Sequence, residues 1–189
     1  MAQAKSLMDA ELKRVLAVAA QGRHAARNRI MVLLTFYAGM RVGEVAALRW
    51  RDVLNPDGTV KNEVRLKAEQ TKGKHSRTVM ICDKLKRELA AYANVVVRKA
   101  DDKPVIYSQR TREGFTSNTL SQEFKSLYKR AGIDGATSHS GRRTFITTLA
   151  HKGVGVRVLM ALAGHRSITT TQLYIDINDE MKRQAVNLI

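Results

Sequence analysis

The most apolar run in the chain is IMVLLTFYA, residues 30–38. Its apolar positions cover nearly every side of a helix, which predicts a central buried helix over about 25–38, with Gly39 as its C-terminal stop. Before it, Ser6 and Asp9 stand in an S-x-x-D capping pattern that predicts a helix to about residue 20, broken at Gly22. After it, the spacing predicts a short helix over about 42–48. Then the period changes. Asn55, Pro56, Asp57 and Gly58 form a strong turn signal. Residues 60–67 and 77–82 read as strands, with Lys72, Gly73 and Lys74 near the turn between them. Helical spacing returns at about 84–98, 118–130, 142–151, 156–162 and 168–174, and a final helix starts near residue 179. In the fourth of these segments from the end, Phe145, Ile146 and Leu149 are expected to face the core. Residues 103–114 are irregular, with room for one short strand (PVIYS). The pattern predicts a mainly α protein with a small antiparallel β-sheet, an α+β fold.

Length adds that 189 residues suit one domain, and 44 % hydrophobic residues suffice to bury a core. The expected organisation is a single domain over 1–189 with a helical tail over about 177–189. Charge changes the picture more. Lys and Arg number 33 against 17 Asp and Glu, for a net charge of +16. Such an excess favours a polyanionic partner, and nucleic acid stands first. One cysteine, Cys82, excludes an internal disulfide framework and a cysteine-rich metal site, and is expected in the sheet core. The N-terminus has no apolar core of a secretory signal, and the nine-residue apolar run is too short to span a bilayer, so a cytoplasmic protein without membrane partners is expected.

Four stretches place polar groups where they are structurally awkward. In AGMRVGEVAALRW, residues 38–50, Arg41 opens a helix between apolar segments, and Glu44 lies three residues on, on the same face. In TKGKHSRTV, residues 71–79, a hairpin tip gathers Lys72, Lys74, His75 and Arg77. In SHSGRRTFITTLAHKG, residues 138–153, His139 and Arg142 stand at a helix N-terminus. Cations there oppose the helix dipole, and a bound anion would relieve the conflict. In LAGHRSITTTQLYI, residues 162–175, Gly164 ends one helix, Ser167 can cap the next, His165 lies between, and Tyr174 follows two turns later, ~10 Å along the axis. Arginines grip phosphate oxygens in bidentate fashion. A tyrosine attacks phosphorus only if a neighbour takes its proton or cations stabilise the phenolate. A leaving alkoxide needs a general acid, which a hairpin lysine can supply. These are the parts for phosphoryl transfer to a tyrosine without metal.

In this order the four stretches resemble the catalytic domain of the tyrosine recombinases, the phage integrase family. The likeness rests on A-G-x-R-x-x-E-x-x-x-L-x-W, a hairpin lysine, H-x-x-R and L-x-G-H with a tyrosine nine residues after the histidine, and it runs from about Ser6 to the C-terminus. The resemblance implies that Arg41 and Arg142 clamp the scissile phosphate, Tyr174 attacks to form a 3′-phosphotyrosyl bond, and Lys72, with Lys74 as fallback, protonates the leaving 5′ oxygen. It implies that His139 is the acid–base partner of the tyrosine, Glu44 orients the site around it, and His165 donates to the phosphate. Arg41, Lys72, Lys74, Arg77, Arg142, Arg143 and Arg166 would meet DNA. Neither metal, ATP nor another cofactor is implied. The partners implied are double-stranded DNA, further copies of the chain as a tetramer on DNA, and an accessory DNA-binding protein.

The chain departs from the family in four places. The first catalytic-domain helix starts almost at Met1, so no N-terminal core-binding domain is expected. In this it is similar to the short fimbrial phase-variation recombinases, whose pattern residues 24–28 also resemble. Arg143 stands where a second histidine is frequent, Gly141 where a leucine is frequent, and Met80 where a strand proline is frequent. Ile177, Met181, Ala185 and Ile189 form one stripe on the tail, suited to a neighbouring protomer or to its own domain. Two other functions fit the residues: a type IB topoisomerase, and a catalytically silent, basic DNA-binding regulator.

Overall fold

The computed structural model describes residues 4–71, 75–96, 100–109, 111, 113–175 and 179–187. The fold is built around α2 (Ala25–Tyr37). Ile30, Met31, Val32, Leu33 and Leu34 are all buried, so the helix is apolar on all sides, as the run of residues required. It packs against α1 (Asp9–Ala20), α5 (Asp83–Val95) and α7 (Ser140–His151). Each such side chain contributes ~1.5–3 kcal/mol on leaving water. The helix stops at Ala38 because Gly39 takes a left-handed φ of 59°, and a Cβ there would lie 2.5 Å from the Phe145 ring.

From Gly39 the chain enters α3 (Val42–Ala47) and α4 (Trp50–Val53), then a two-stranded antiparallel sheet. Strand β1 (Glu63–Leu66) pairs with β2 (Arg77–Met80) in the register Glu63–Met80, Val64–Val79, Arg65–Thr78 and Leu66–Arg77. A 3₁₀ turn over Ala68–Gln70 follows β1, so the link between the strands is longer than a tight hairpin. Lys72, Gly73 and Lys74 lie outside the described residues. The remaining helices are α6 (Ser117–Arg130), α8 (Val156–Ala163), α9 (Ile168–Gln172) and α10 (Asp179–Val186). Structural likeness to known proteins, given below, confirms the mainly helical α+β class.

Several local expectations change. Ser6 does not cap α1; the N-cap position is Met8, whose N–H donates to Glu11 Oε2 at 2.9 Å. Lys5 Nζ holds the other oxygen of that carboxylate at 2.6 Å, chiefly for which reason its pKa is lowered. Cys82 is exposed at the N-cap of α5, not in the sheet core, because β2 ends two residues before it. Of the three α7 residues expected to face the core, Ile146 is fully buried, while Phe145 and Leu149 are half-buried. In the segment expected to hold a short strand, Pro104 makes an isolated bridge to Arg49 and Tyr107 one to Gly114, and its described residues form no strand. Trp50 is buried and stacks on Tyr92 with ring centroids 5.7 Å apart. Of the tail stripe, Ile177 and Ile189 lie outside the described residues, and Ala185 borders a shallow apolar cavity with Ala150, Val154, Val156 and Ile175.

Gly141 sets the distance between α7 and α2. A Cβ at this position would lie 2.2 Å from Thr35 Oγ1 and 3.2 Å from the Phe36 backbone nitrogen. Without a side chain, the start of α7 lies close against the end of α2, and Arg142 comes within reach of the Gly39 carbonyl, which it meets at 2.6 Å.

Candidate active site

The C-terminal end of α8 organises the site. Its last carbonyls have no helical partners, and the helix dipole leaves partial negative charge on them. Three guanidinium groups from three parts of the chain take consecutive carbonyls. Arg77 Nη1 donates to Leu162 O at 2.9 Å, Arg142 Nη2 to Ala163 O at 2.5 Å, and Arg41 Nη2 to Gly164 O at 3.1 Å. Gly164 is required on two counts. Its backbone is left-handed, with φ 61° and ψ 45°, and a Cβ would lie 2.5 Å from Arg77 Cδ.

Between the arginines lies Glu44, whose side chain is 2 % exposed. Its Oε1 accepts from Arg41 Nη1 at 3.0 Å and Arg77 Nε at 2.9 Å; its Oε2 accepts from the Arg41 backbone N–H at 2.7 Å and Arg77 Nη2 at 2.6 Å. Burial acts to raise the carboxyl pKa, but the Arg77 fork and then the Arg41 donors outweigh it and hold it below the usual range. Three guanidinium groups and one carboxylate leave the cluster strongly cationic. Burial, with Arg41 and Arg77 nearby, pushes the Arg142 pKa down to about 9, so the group stays charged at neutral pH.

His165 follows Gly164 directly and is buried. Burial first, then the three arginines, push its pKa down to about 4, so the ring is neutral near pH 7. Its Nδ1 lies 3.0 Å from the hydroxyl of Thr171, a fully buried residue. Tyr174 stacks on this imidazole, with ring centroids 5.5 Å apart and planes inclined by 26°. With His165 in the turn before the helix, the spacing predicts Tyr174 two helical turns on, ~10 Å along the axis. Instead α9 has only five residues, and the chain turns after it, with Tyr174 N donating to Thr171 O. The Arg143 guanidinium carbon lies 5.3 Å from the centroid of the same tyrosine ring, a cation–π arrangement.

Two cavities adjoin at Thr170. One, of about 560 Å³, is lined by Arg41, His75, Arg77, His165 and Arg166; the other, of about 360 Å³, by Thr137, His139, Arg142, Arg143 and Tyr174. Arg41, Glu44, His139, Arg142, Arg143, His165, Arg166 and Tyr174 thus come together from three separated stretches. His139 holds the N-cap position of α7, exposed beside the tyrosine cavity. Lys72 and Lys74 lie outside the described residues.

Arg77 is placed in part differently from expectation. It starts β2, as the strand reading over 77–82 expects, but its side chain, 9 % exposed, is not free at the hairpin tip: it is taken up by Glu44 and Leu162 O. The side chain nevertheless borders the larger cavity. Sequence reasoning also missed Thr171, since a threonine six residues past a histidine signals nothing until a short helix turns it back. Among the described residues no group of three or more His, Cys, Asp or Glu side chains could hold a metal ion, and no helix is long and apolar enough to cross a membrane.

The sequence profile of the phage integrase family matches residues 5–181. The tyrosine recombinase XerA of Pyrococcus furiosus is 29 % identical over 185 residues, covering 96 % of this chain and 60 % of that protein. The crystal structure of XerA recombinase superposes with a TM-score of 0.77 at 28 % identity, over 97 % of this chain and 62 % of that one. The Tn1549 transposon integrase, solved with a circular intermediate DNA, shares the fold, with a TM-score of 0.76 at 15 % identity over 100 % of this chain and 67 % of that one. The chain spans about 60 % of the length of the curated relatives named here.

Proposed function

The chain belongs to the phage integrase family, and from that premise we propose that it cuts and rejoins DNA strands through a 3′-phosphotyrosyl intermediate on Tyr174. The observation that carries the reading is the convergence of Arg41 and Arg142 on adjacent carbonyls beside the Tyr174–His165 stack.

In this reading the scissile phosphate occupies the space where the two cavities meet. The carbonyls of Gly39, Ala163 and Gly164 fix the guanidinium planes of Arg142 and Arg41 before substrate arrives. The transition state carries more charge on the non-bridging oxygens than the ground state, so pre-aimed cations bind it preferentially. Tyr174 Oη attacks phosphorus, and its proton passes to His139. The bond from phosphorus to the 5′ oxygen breaks, and that oxygen takes a proton from Lys72, or from Lys74 in its place. Neutral His165 donates to the phosphate through Nε2, with Thr171 donating to Nδ1 and so fixing the tautomer. Glu44 orients Arg41 rather than His139. Arg143 and Arg166 border the cavities and suit flanking phosphates. Attack by a 5′ hydroxyl on the phosphotyrosine reverses the step and joins strands. The bond energy is kept, so no metal, ATP or other cofactor enters.

The relatives are recombinases, and neither DNA relaxation nor silent regulation gains support from them. We propose double-stranded DNA as substrate, a tetramer of this chain on it with the segment 177–189 exchanged between protomers, an accessory DNA-binding protein that completes the grip on the duplex, and action in the cytoplasm. The chain itself, 1–189, serves as one catalytic unit.

A pool of nicked suicide duplexes with a randomised centre tests the reading. Incubation with the protein, denaturation and sequencing of DNA that stays attached should recover a preferred site. Tyr174→Phe should retain DNA and yield no covalent adduct. An adduct that persists in Tyr174→Phe, or a wild-type protein that forms none across the pool, would overturn the proposal.

A further inference from the structure

We propose that Arg77 is a positioning residue for strand cleavage: by holding both oxygens of Glu44 it keeps that carboxylate from tying up the Arg41 guanidinium. The inference rests on the strand-cleavage reading above and adds a role that the family resemblance did not supply.

The argument starts from Glu44. A carboxylate this buried needs a cation beside it, because an unpaired charge in a low-dielectric interior is strongly unfavourable. Two cations are at hand, and they bind it differently. Arg77 presents a planar fork, Nε to one oxygen at 2.9 Å and Nη2 to the other at 2.6 Å. Arg41 gives a single side-chain contact at 3.0 Å. Their exposure differs in the same sense: the Arg77 side chain is 9 % exposed and that of Arg41 28 %. Both border the larger cavity, but Arg77 is the more buried and more fully paired, the internal counter-ion, and Arg41 is the more exposed of the two.

The third arm of Arg77 fixes where the neutralised carboxylate sits. Nη1 on Leu162 O and Cδ against Gly164 tie the side chain to the helix end that also receives Arg142 and Arg41. Without Arg77, Glu44 would have Arg41 as its remaining hydrogen-bonded cation. The carboxylate would draw that guanidinium inward, and phosphate would have to compete with it. Lysine cannot replace the fork, because its ammonium is a point charge with no planar geometry.

Two measurements test this. The first needs no DNA: ¹⁵N spectra of the Arg41 guanidinium in wild type and Arg77→Ala. Tighter pairing with Glu44 should slow exchange of its Nη protons in the variant, and an unchanged Arg41 signal would overturn the proposal. The second uses the duplex recovered from the suicide pool. Arg77→Ala should slow adduct formation about 100-fold, with DNA retention changed by less than about threefold. Arg77→Lys should recover little of that loss. Adding Glu44→Gln to Arg77→Ala should restore about tenfold, because a neutral amide no longer competes for Arg41. A residue that merely braced the fold would make the double variant slower than the single one, and that result would refute the role. If the alanine variant fails to fold, Arg77→Gln serves instead, since it keeps a polar stem without the charge. Failure of the wild type to form any adduct defeats the strand-cleavage reading, while the guanidinium spectra still judge the Arg77 pairing by themselves.

Discussion

At the scale of single residues, the charge state of His165 has consequences that can be measured. Its pKa is about 4 in the folded protein, against an ordinary value near 6.5. Between those two values the unfolded chain binds a proton that the folded chain refuses. Stability should therefore fall as pH drops from about 6.5 towards 4, by at most ~3 kcal/mol from this group. Thermal unfolding across that range, compared with His165→Gln, checks the sign: the variant should show a flatter dependence. The neutral ring also depends on its partner. Thr171→Val should remove the donor to Nδ1 and slow adduct formation about tenfold, while Thr171→Ser restores it. A ¹⁵N imidazole spectrum should show the tautomer lost and regained in step. The types of residue in this site were legible in the chain, because each awkward cation marked its own place. Their mutual contacts were not. Which carbonyls an arginine meets depends on helix ends far apart in sequence, as the separation of 123 positions between Arg41 and Gly164 illustrates.

Elements tell a related story about distance. The central helix was readable from its unbroken apolar run, and its stop from Gly39. The close approach of α7 was not, because a single glycine before an arginine reads as a poor helix former. The structure shows why that glycine stands there: Thr35 occupies the space a methyl would need. Gly141→Ala should destabilise the protein by ~1–3 kcal/mol through overpacking, read as a lower unfolding temperature. Thr35→Ala in the same chain should recover part of the loss, since it removes the oxygen in conflict. An alanine at 141 without cost would mean that α2 and α7 separate freely. The strands were placed correctly but too long. Among the described residues the two strands pair over 63–66 and 77–80, and the chain before β1 is held by an isolated bridge between Val60 and Leu54 and by single backbone bonds such as Lys61 N to Val53 O at 2.8 Å.

Across the whole molecule the governing quantity is the net charge of +16. Binding to duplex DNA should release counterions, so affinity should drop ~10³–10⁵-fold between 50 and 200 mM salt if some 6–10 phosphates are met. Retention on DNA measured across that range checks it, and a flat response would count against DNA as partner. The same composition could not show how the charge is divided. Much of it is solvated surface, but the arginines that matter most are turned inward onto carbonyl oxygens and one carboxylate. The end of α8 gives that arrangement an unusual robustness. Main-chain oxygens are present whatever residue the codon specifies, so replacing the half-buried Leu162 by another helix former leaves every anchor in place. A scan of single replacements along this corner should find Gly164 intolerant, the fully buried Ala163 tolerant only of small residues, and Leu162 forgiving. The machinery is thus written into the course of the backbone, and drift in the side chains there cannot erase it.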